Sequence, residues 1–100
     1  MSENIRRREA LDWHEGALVD LDEAEAALSG GRPNWALFAS HQAVEKVLKA
    51  AYIVLKRERP PRTHDLVELY RNLGVKLSED LMEALSELTP YYSVARYPNA

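Results

Sequence analysis

The sequence predicts an all-α protein, an antiparallel up-and-down bundle of four main helices whose last helix is kinked at Pro90. Apolar residues recur at helical spacing in four segments of the chain. Glycine or proline separates these segments, and both residue types end helices. Strand patterns, in which apolar and polar residues alternate, are missing. Because the connecting loops are brief, neighbouring helices should run antiparallel.

The first predicted helix covers approximately residues 4–28. Its apolar residues share one stripe, on which a small residue recurs every seventh position, and we expect this stripe to pack against the bundle. The stripe comprises Ala10, Trp13, Ala17, Leu21, Ala24 and Leu28. The helix should end at Ser29-Gly30-Gly31, because two glycines suit a left-handed C-terminal cap and a tight reversal.

The second predicted helix opens at Pro33 or Asn34, since proline is tolerated in the first turn and asparagine caps free amides. It runs to about Arg57, and its packed stripe comprises Leu37, Val44, Leu48, Ala51 and Leu55. His41 lies on the same line, where a buried imidazole usually donates to a backbone carbonyl or a carboxylate. The two prolines in residues 59–62 predict a stiff, extended connector.

Two shorter helices complete the predicted bundle. Thr63 is the expected N-cap of a third helix of about ten residues, which Gly74 ends. Ser78 should cap the fourth, with two acidic residues in the first turn, where negative charge meets the helix dipole. The packed stripe of the fourth helix is Leu81, Leu85, Leu88, Tyr92 and Ala95. An interior proline removes a hydrogen bond, so residues 91–97 should point in a different direction.

Length and composition favour one domain over residues 1–100. Apolar residues make up 46% of the chain and charged residues 29%, a globular balance. Cysteine is absent, which excludes disulfides and thiolate metal sites, and we expect a cytoplasmic location. The N-terminus lacks the apolar run of a signal peptide, and no stretch reaches the roughly 20 apolar residues of a membrane span. We expect no membrane, metal or cofactor.

The net charge of −3 argues against a protein that coats duplex nucleic acid, because such proteins displace counterions with many basic residues. Two local basic patches are nevertheless present, at residues 6–8 and 56–62. Either patch is a candidate for contact with nucleic acid. The alternative is a solvated helix end and a solvated loop.

Three motifs in this order together resemble the HEPN domain. They are HQAVEKVLKA at residues 41–50, PRTHDL at residues 61–66 and ARYP at residues 95–98. The likeness covers most of the chain, from the Trp13 helix to the end. Each motif alone is weakly specific, but three of them at spacings that suit a helical bundle form a strong signal.

The HEPN resemblance implies a helical bundle that is often dimeric and often encoded beside a minimal nucleotidyltransferase in a toxin-antitoxin module. Some members are metal-independent ribonucleases with an Arg-x4-6-His motif in a late helix. Here only Tyr97, Pro98, Asn99 and Ala100 follow Arg96, so that motif is incomplete and we do not expect an enzyme. Members usually continue into a further helix, so this chain is expected to be either a shortened member or a piece of a longer one.

The resemblance therefore predicts an interaction protein. We expect a homodimer that is the partner subunit of a nucleotidyltransferase and that binds a nucleotide or single-stranded RNA. The alternative is a ribonuclease toxin with a composite site across the dimer, formed by Arg96 and a histidine such as His64 or His41. A purely structural helper without a ligand is the third hypothesis.

The predicted nucleotide or RNA site is centred on an aromatic and cationic cluster after the kink, formed by Tyr91, Tyr92, Arg96 and Tyr97. Tyrosine rings stack on bases while a guanidinium binds phosphate. The alternative is that the rings pack in the core or at a dimer interface, and that Arg96 caps helix carbonyls.

Lys46, Lys49 and His64 complete the predicted site. The two lysines lie three residues apart on one side of the second helix, where they would present two cations to a phosphate. Glu45 and Lys49 also form a favourable i,i+4 pair, which explains part of this pattern without a ligand. His64 follows Arg59 at Arg-x4-His spacing, but that pair spans the proline connector, so a capping or packing role is the alternative for His64.

Overall fold

The computed structural model describes residues 2–92, which form four α-helices and a short 3₁₀ segment. These are α1 (Glu3–Ser29), α2 (Pro33–Lys56), α3 (Leu66–Leu73), α4 (Glu79–Leu88) and the 3₁₀ segment (Thr89–Tyr92). The predicted all-α bundle is confirmed. None of the helices in residues 2–92 is both long enough and apolar enough to cross a bilayer.

α1 and α2 form a long helical hairpin. Ser2 caps α1 by accepting a hydrogen bond from the Ile5 amide at 3.2 Å. The chain reverses after Ser29, and Gly31 has a φ of +75°, which is the left-handed turn that the two glycines predict. The helices approach closely at Gly16, where an added Cβ would lie 3.1 Å from a side-chain carbon of Lys46.

The packed stripe predicted for α1 is only partly right. Ala17 and Ala24 are buried, but Leu21 and Leu28 are 47% and 66% exposed. The physical reason is that α1 contacts α2 through a narrow face of small residues, so leucines at the edge of that face remain outside it. In α2, Leu55 is likewise 53% exposed although the predicted stripe includes it.

The hydrophobic core lies where α3 and α4 pack near α2. Its buried residues are Leu48, Leu66, Leu69, Leu73 and Leu85. α4 contributes only Leu85 to this buried set, and Leu81 in its first turn is 53% exposed. The predicted stripe of α4 is therefore wrong at Leu81, since the core forms around α3 rather than around the start of α4.

The N-cap of α3 is Asp65, not Thr63. Asp65 Oδ1 accepts hydrogen bonds from the amides of Val67 and Glu68, at 3.0 and 3.2 Å. Thr63 Oγ1 instead accepts from the Asp65 amide at 3.1 Å. The start of α3 is also held in place from outside, because the Leu66 amide donates to Thr89 Oγ1 at 3.2 Å. The helix therefore begins later than predicted and has eight residues.

Replacing Asp65 with Ala should lower the free energy of unfolding by about 1 kcal/mol, because two amides of α3 lose their acceptor. Urea denaturation checks this. Asp65→Asn should retain most of the stability, since an amide oxygen also caps. Thr63→Ala should cost less than Asp65→Ala, and the opposite order would contradict the assignment of the cap.

The start of α4 and its interruption at Pro90 follow the prediction. Ser78 Oγ accepts from the Leu81 amide at 3.2 Å and caps α4. α4 ends at Leu88, and the chain turns through the 3₁₀ segment that contains Pro90, so the predicted kink is confirmed. The direction predicted for residues 93–97 lies outside the described residues.

Candidate functional site

Five side chains from three parts of the chain meet beside α2. His41, Glu45 and Lys49 follow one another at intervals of four residues on α2 and share one side of it. His64 comes from the connector before α3, and Tyr92 from the 3₁₀ segment. We call this group the His64–Glu45 site.

Glu45 is the centre of the site, and its side chain is only 6% exposed. Its Oε1 accepts a hydrogen bond from His64 Nδ1 at 2.8 Å, and its Oε2 accepts from Lys49 Nζ at 3.0 Å. Both carboxylate oxygens therefore have a donor. This matters because a buried carboxylate is costly unless it is paired and hydrogen-bonded.

His64 lies at the surface of the site, with 59% of its side chain accessible. Because Nδ1 donates to a carboxylate, Nε2 of the neutral ring carries the free lone pair. The imidazole lies parallel to the ring of Tyr92, with centroids 5.4 Å apart and an interplanar angle of 2°. The result is a stacked pair of rings at the surface, one of which is held by a buried carboxylate.

His41 supports His64 from beneath and is completely buried. Its Nε2 donates to the backbone carbonyl oxygen of His64 at 2.9 Å, as expected for a core histidine. Burial lowers the pKa of His41, and this outweighs the opposing effects of the His64 carbonyl and the Glu45 carboxylate. His41 is therefore a neutral structural group that fixes the backbone of the connector.

Lys49 links the site to α1. Its ammonium lies 5.3 Å from the centre of the Trp13 ring, a cation-π contact, while it is paired with Glu45. The predicted alternative for this lysine, an i,i+4 pair with Glu45, is present. The Lys46 ammonium is paired with Asp20 of α1 at 2.6 Å. Each of the two lysines is thus paired with a carboxylate of the same chain.

The structure brings together some of the predicted site residues but not others. His64, Tyr92 and Lys49 come together, whereas Lys46 contacts α1. Tyr91 precedes Tyr92 in the 3₁₀ segment. Arg96 and Tyr97 lie outside the described residues.

Glu45 was not predicted as a site residue, and His41 was named only as a possible histidine of the alternative ribonuclease site. The available signal was their spacing, which places His41, Glu45 and Lys49 in one line on α2. This line indicates a polar face on an otherwise apolar helix.

Comparison with known protein families matches the HEPN domain over residues 10–100. The chain belongs to the HEPN family. No curated protein and no solved structure matched the chain. Two of the motifs that carry the likeness meet in the site of this HEPN domain, because residues 41–50 supply Glu45 and Lys49 and residues 61–66 supply His64.

Within residues 2–92, no group of three or more carboxylates and histidines is arranged to hold a metal ion.

Proposed function

We propose that this HEPN domain binds a nucleotide or single-stranded RNA at the His64–Glu45 site. It does so as a homodimer and as the partner subunit of a minimal nucleotidyltransferase in a toxin-antitoxin-type module. The observation that carries the binding proposal is the parallel stack of His64 on Tyr92 at the surface. Family membership supports the nucleotidyltransferase partner.

The stacked pair suits a base because an aromatic platform binds any base through its π-face. The platform is preorganised, since the 2.8 Å bond from His64 Nδ1 to Glu45 holds the imidazole before a ligand arrives. The other ring nitrogen, Nε2, adds a polar contact to a base edge. Little ordering of the two rings is then required on binding.

The connector before His64 supplies positive charge for the phosphate. Arg59 and Arg62 are both exposed, and Arg62 precedes His64 by only two residues. A guanidinium binds phosphate through charge-assisted hydrogen bonds. Arg59 and Arg62 are therefore better suited to this role than Lys49, whose ammonium is already paired with Glu45.

Binding of a fluorescein-labelled, mixed-sequence single-stranded RNA, followed by anisotropy, tests the proposal. Tyr92→Ala should weaken binding by about tenfold or more, because one stacking contact contributes about 1–3 kcal/mol. Tyr92→Phe is the matched control and should bind nearly as the wild type does, since it keeps the ring. Unchanged affinity of Tyr92→Ala would contradict the site.

The second candidate function is a metal-independent ribonuclease, and the His64–Glu45 pair favours it. A histidine whose Nδ1 donates to a carboxylate presents Nε2 as a general base, which could activate a 2′-hydroxyl. Incubation of the same RNA in EDTA separates the two functions. Intact RNA supports the binding module, whereas cleavage that is lost in both His64→Ala and Arg96→Ala would establish the composite-site ribonuclease.

A further inference from the structure

An apolar row runs along the outer side of α1. Leu11, Leu18, Leu21 and Leu28 are 58%, 51%, 47% and 66% exposed. With His14 and Glu25 they alternate at intervals of three and four residues, the spacing of a helix that packs against another helix. α1 is long enough for such packing, since its 27 residues extend for about 40 Å.

The row continues onto α2. Val54 is 66% exposed and lines the same groove as Arg7 and Leu11, and Val47 is 47% exposed. Both valines point to a different side of α2 from Leu48, which faces the core with α3. Among residues 2–92, α3 and α4 pack beside α2 and leave this face of the hairpin uncovered. Adjacent exposed apolar side chains on two helices form a patch suited to a partner.

The charges beside the row differ between the two ends of α1. Exposed Arg7 and Arg8 lie near its N-terminus, in a half that also carries exposed Asp12 and Glu15, whereas every charged residue of its C-terminal half, residues 16–29, is acidic. Two copies of α1 that pair in parallel would place like charges together. Two copies that pair antiparallel would place the arginines of each beside the acidic half of the other, which favours association.

We propose that a second copy of this chain docks antiparallel on the apolar row of α1, through a two-fold axis near the middle of the helix. Arg7 and Glu25 lie at equal distances from residue 16, so each Arg7 faces Glu25 of the other copy. By the same relation, each Leu11 faces Leu21 of the other copy. This arrangement rests on the homodimer of the proposed function and identifies its surface, which does not include the His64–Glu45 site.

Charge reversal tests the pairing, with the dimer dissociation constant measured by sedimentation velocity. Arg7→Glu and Glu25→Arg should each raise this constant by about tenfold or more, because each places like charges opposite one another. The double variant Arg7→Glu/Glu25→Arg restores opposite charges and should return to within about threefold of the wild type. Glu23→Arg, beside Trp35 in a different groove, makes the same change in net charge as Glu25→Arg and should have little effect.

Disulfide cross-linking tests the direction of the helices. Because the sequence contains no native cysteine, any disulfide must join the introduced residues. Leu11→Cys/Leu21→Cys should cross-link between subunits under oxidation, whereas Leu11→Cys alone should not. A cross-link in Leu11→Cys alone would indicate a parallel pair and overturn the proposal.

Two further outcomes would also overturn this arrangement. If the double charge variant stays as weak as the single variants, Arg7 does not face Glu25. If the wild type dimerises and no charge variant weakens it, the surface is wrong but the homodimer of the proposed function stands. If the wild type is monomeric, the homodimer fails as well. RNA binding that remains sensitive to Tyr92→Ala would show that the ligand site survives either failure.

Discussion

Replacing Glu45 with Ala should lower the free energy of unfolding by about 3–5 kcal/mol, the usual cost of removing one partner of a buried ion pair. The Lys49 side chain is only 10% exposed, so its ammonium would remain buried without an anion. The cation-π contact with Trp13 would remain but could not replace a carboxylate. His64 would lose the acceptor of its Nδ1 proton in the same variant.

Urea denaturation of a small set of variants measures this effect. Glu45→Leu/Lys49→Met removes both charges and should recover much of the stability lost in Glu45→Ala, because no unpaired charge is left. Asp20→Ala breaks the Lys46–Asp20 pair, in which the Lys46 side chain is 28% exposed, and should cost less than Glu45→Ala. If Asp20→Ala and Glu45→Ala lower the free energy of unfolding equally, a special role for the buried Glu45–Lys49 pair is contradicted.

Stability and the proposed binding function are coupled at Glu45. Its Oε2 is bound to a lysine that contacts α1, and its Oε1 orients the exposed ring of His64. A variant of Glu45 therefore changes both the packing of the bundle and the geometry of the proposed platform. Tyr92→Ala is the better test of binding, because Tyr92 is partly exposed and lies outside the buried core.

The helices themselves could be predicted because their signals are local. Apolar spacing, glycine stops and the Ser78 cap each depend on a few neighbouring residues, and all appear in the structure. The errors arose where a distant contact decides the outcome. Asp65 caps α3, and the start of that helix is also held by a hydrogen bond from the Leu66 amide to Thr89. This hydrogen bond joins residues that are 23 positions apart. A stripe also shows which residues share a face, but not which part of that face a neighbouring helix covers.

The site could be predicted only in part, for the same reason. His64 and Tyr92 were each candidates, but their stacking depends on how the connector and the 3₁₀ segment fold onto α2. Glu45 was interpreted as the i,i+4 partner of Lys49, which it is. Its second bond, to His64, spans 19 residues and could not be derived from helical spacing.

Acidification below about pH 6.5 should destabilise the protein through His41. Burial lowers the pKa of His41 from its usual value of 6.5. The unfolded chain therefore binds this proton at a pH at which the folded protein does not. Stability is thus present above the unfolded pKa and is lost as the pH falls from there through the lower folded pKa.

The groups around His41 explain why it stays neutral when folded. Its Nε2 donates to the His64 carbonyl, Nδ1 lies 3.8 Å from Glu45 Oε1, and the Tyr92 ring packs 6.4 Å away. Glu45 already accepts hydrogen bonds from His64 and Lys49, so it compensates a charge on His41 poorly. A proton on His41 would therefore be buried, and because burial outweighs the backbone and carboxylate contacts that favour the charged form, its cost opposes the folded state.

Urea denaturation between pH 5 and pH 8 measures this dependence. His41→Gln removes the titrating group and keeps a donor for the His64 carbonyl, so its stability should vary less with pH than that of the wild type. His64→Gln is the matched control, and it should keep the steeper dependence because His41 remains. If His41→Gln and the wild type lose stability in parallel, the acid sensitivity comes from other groups. A smaller slope only in His41→Gln would identify His41 as the group that must be neutral for the connector and the proposed platform to fold.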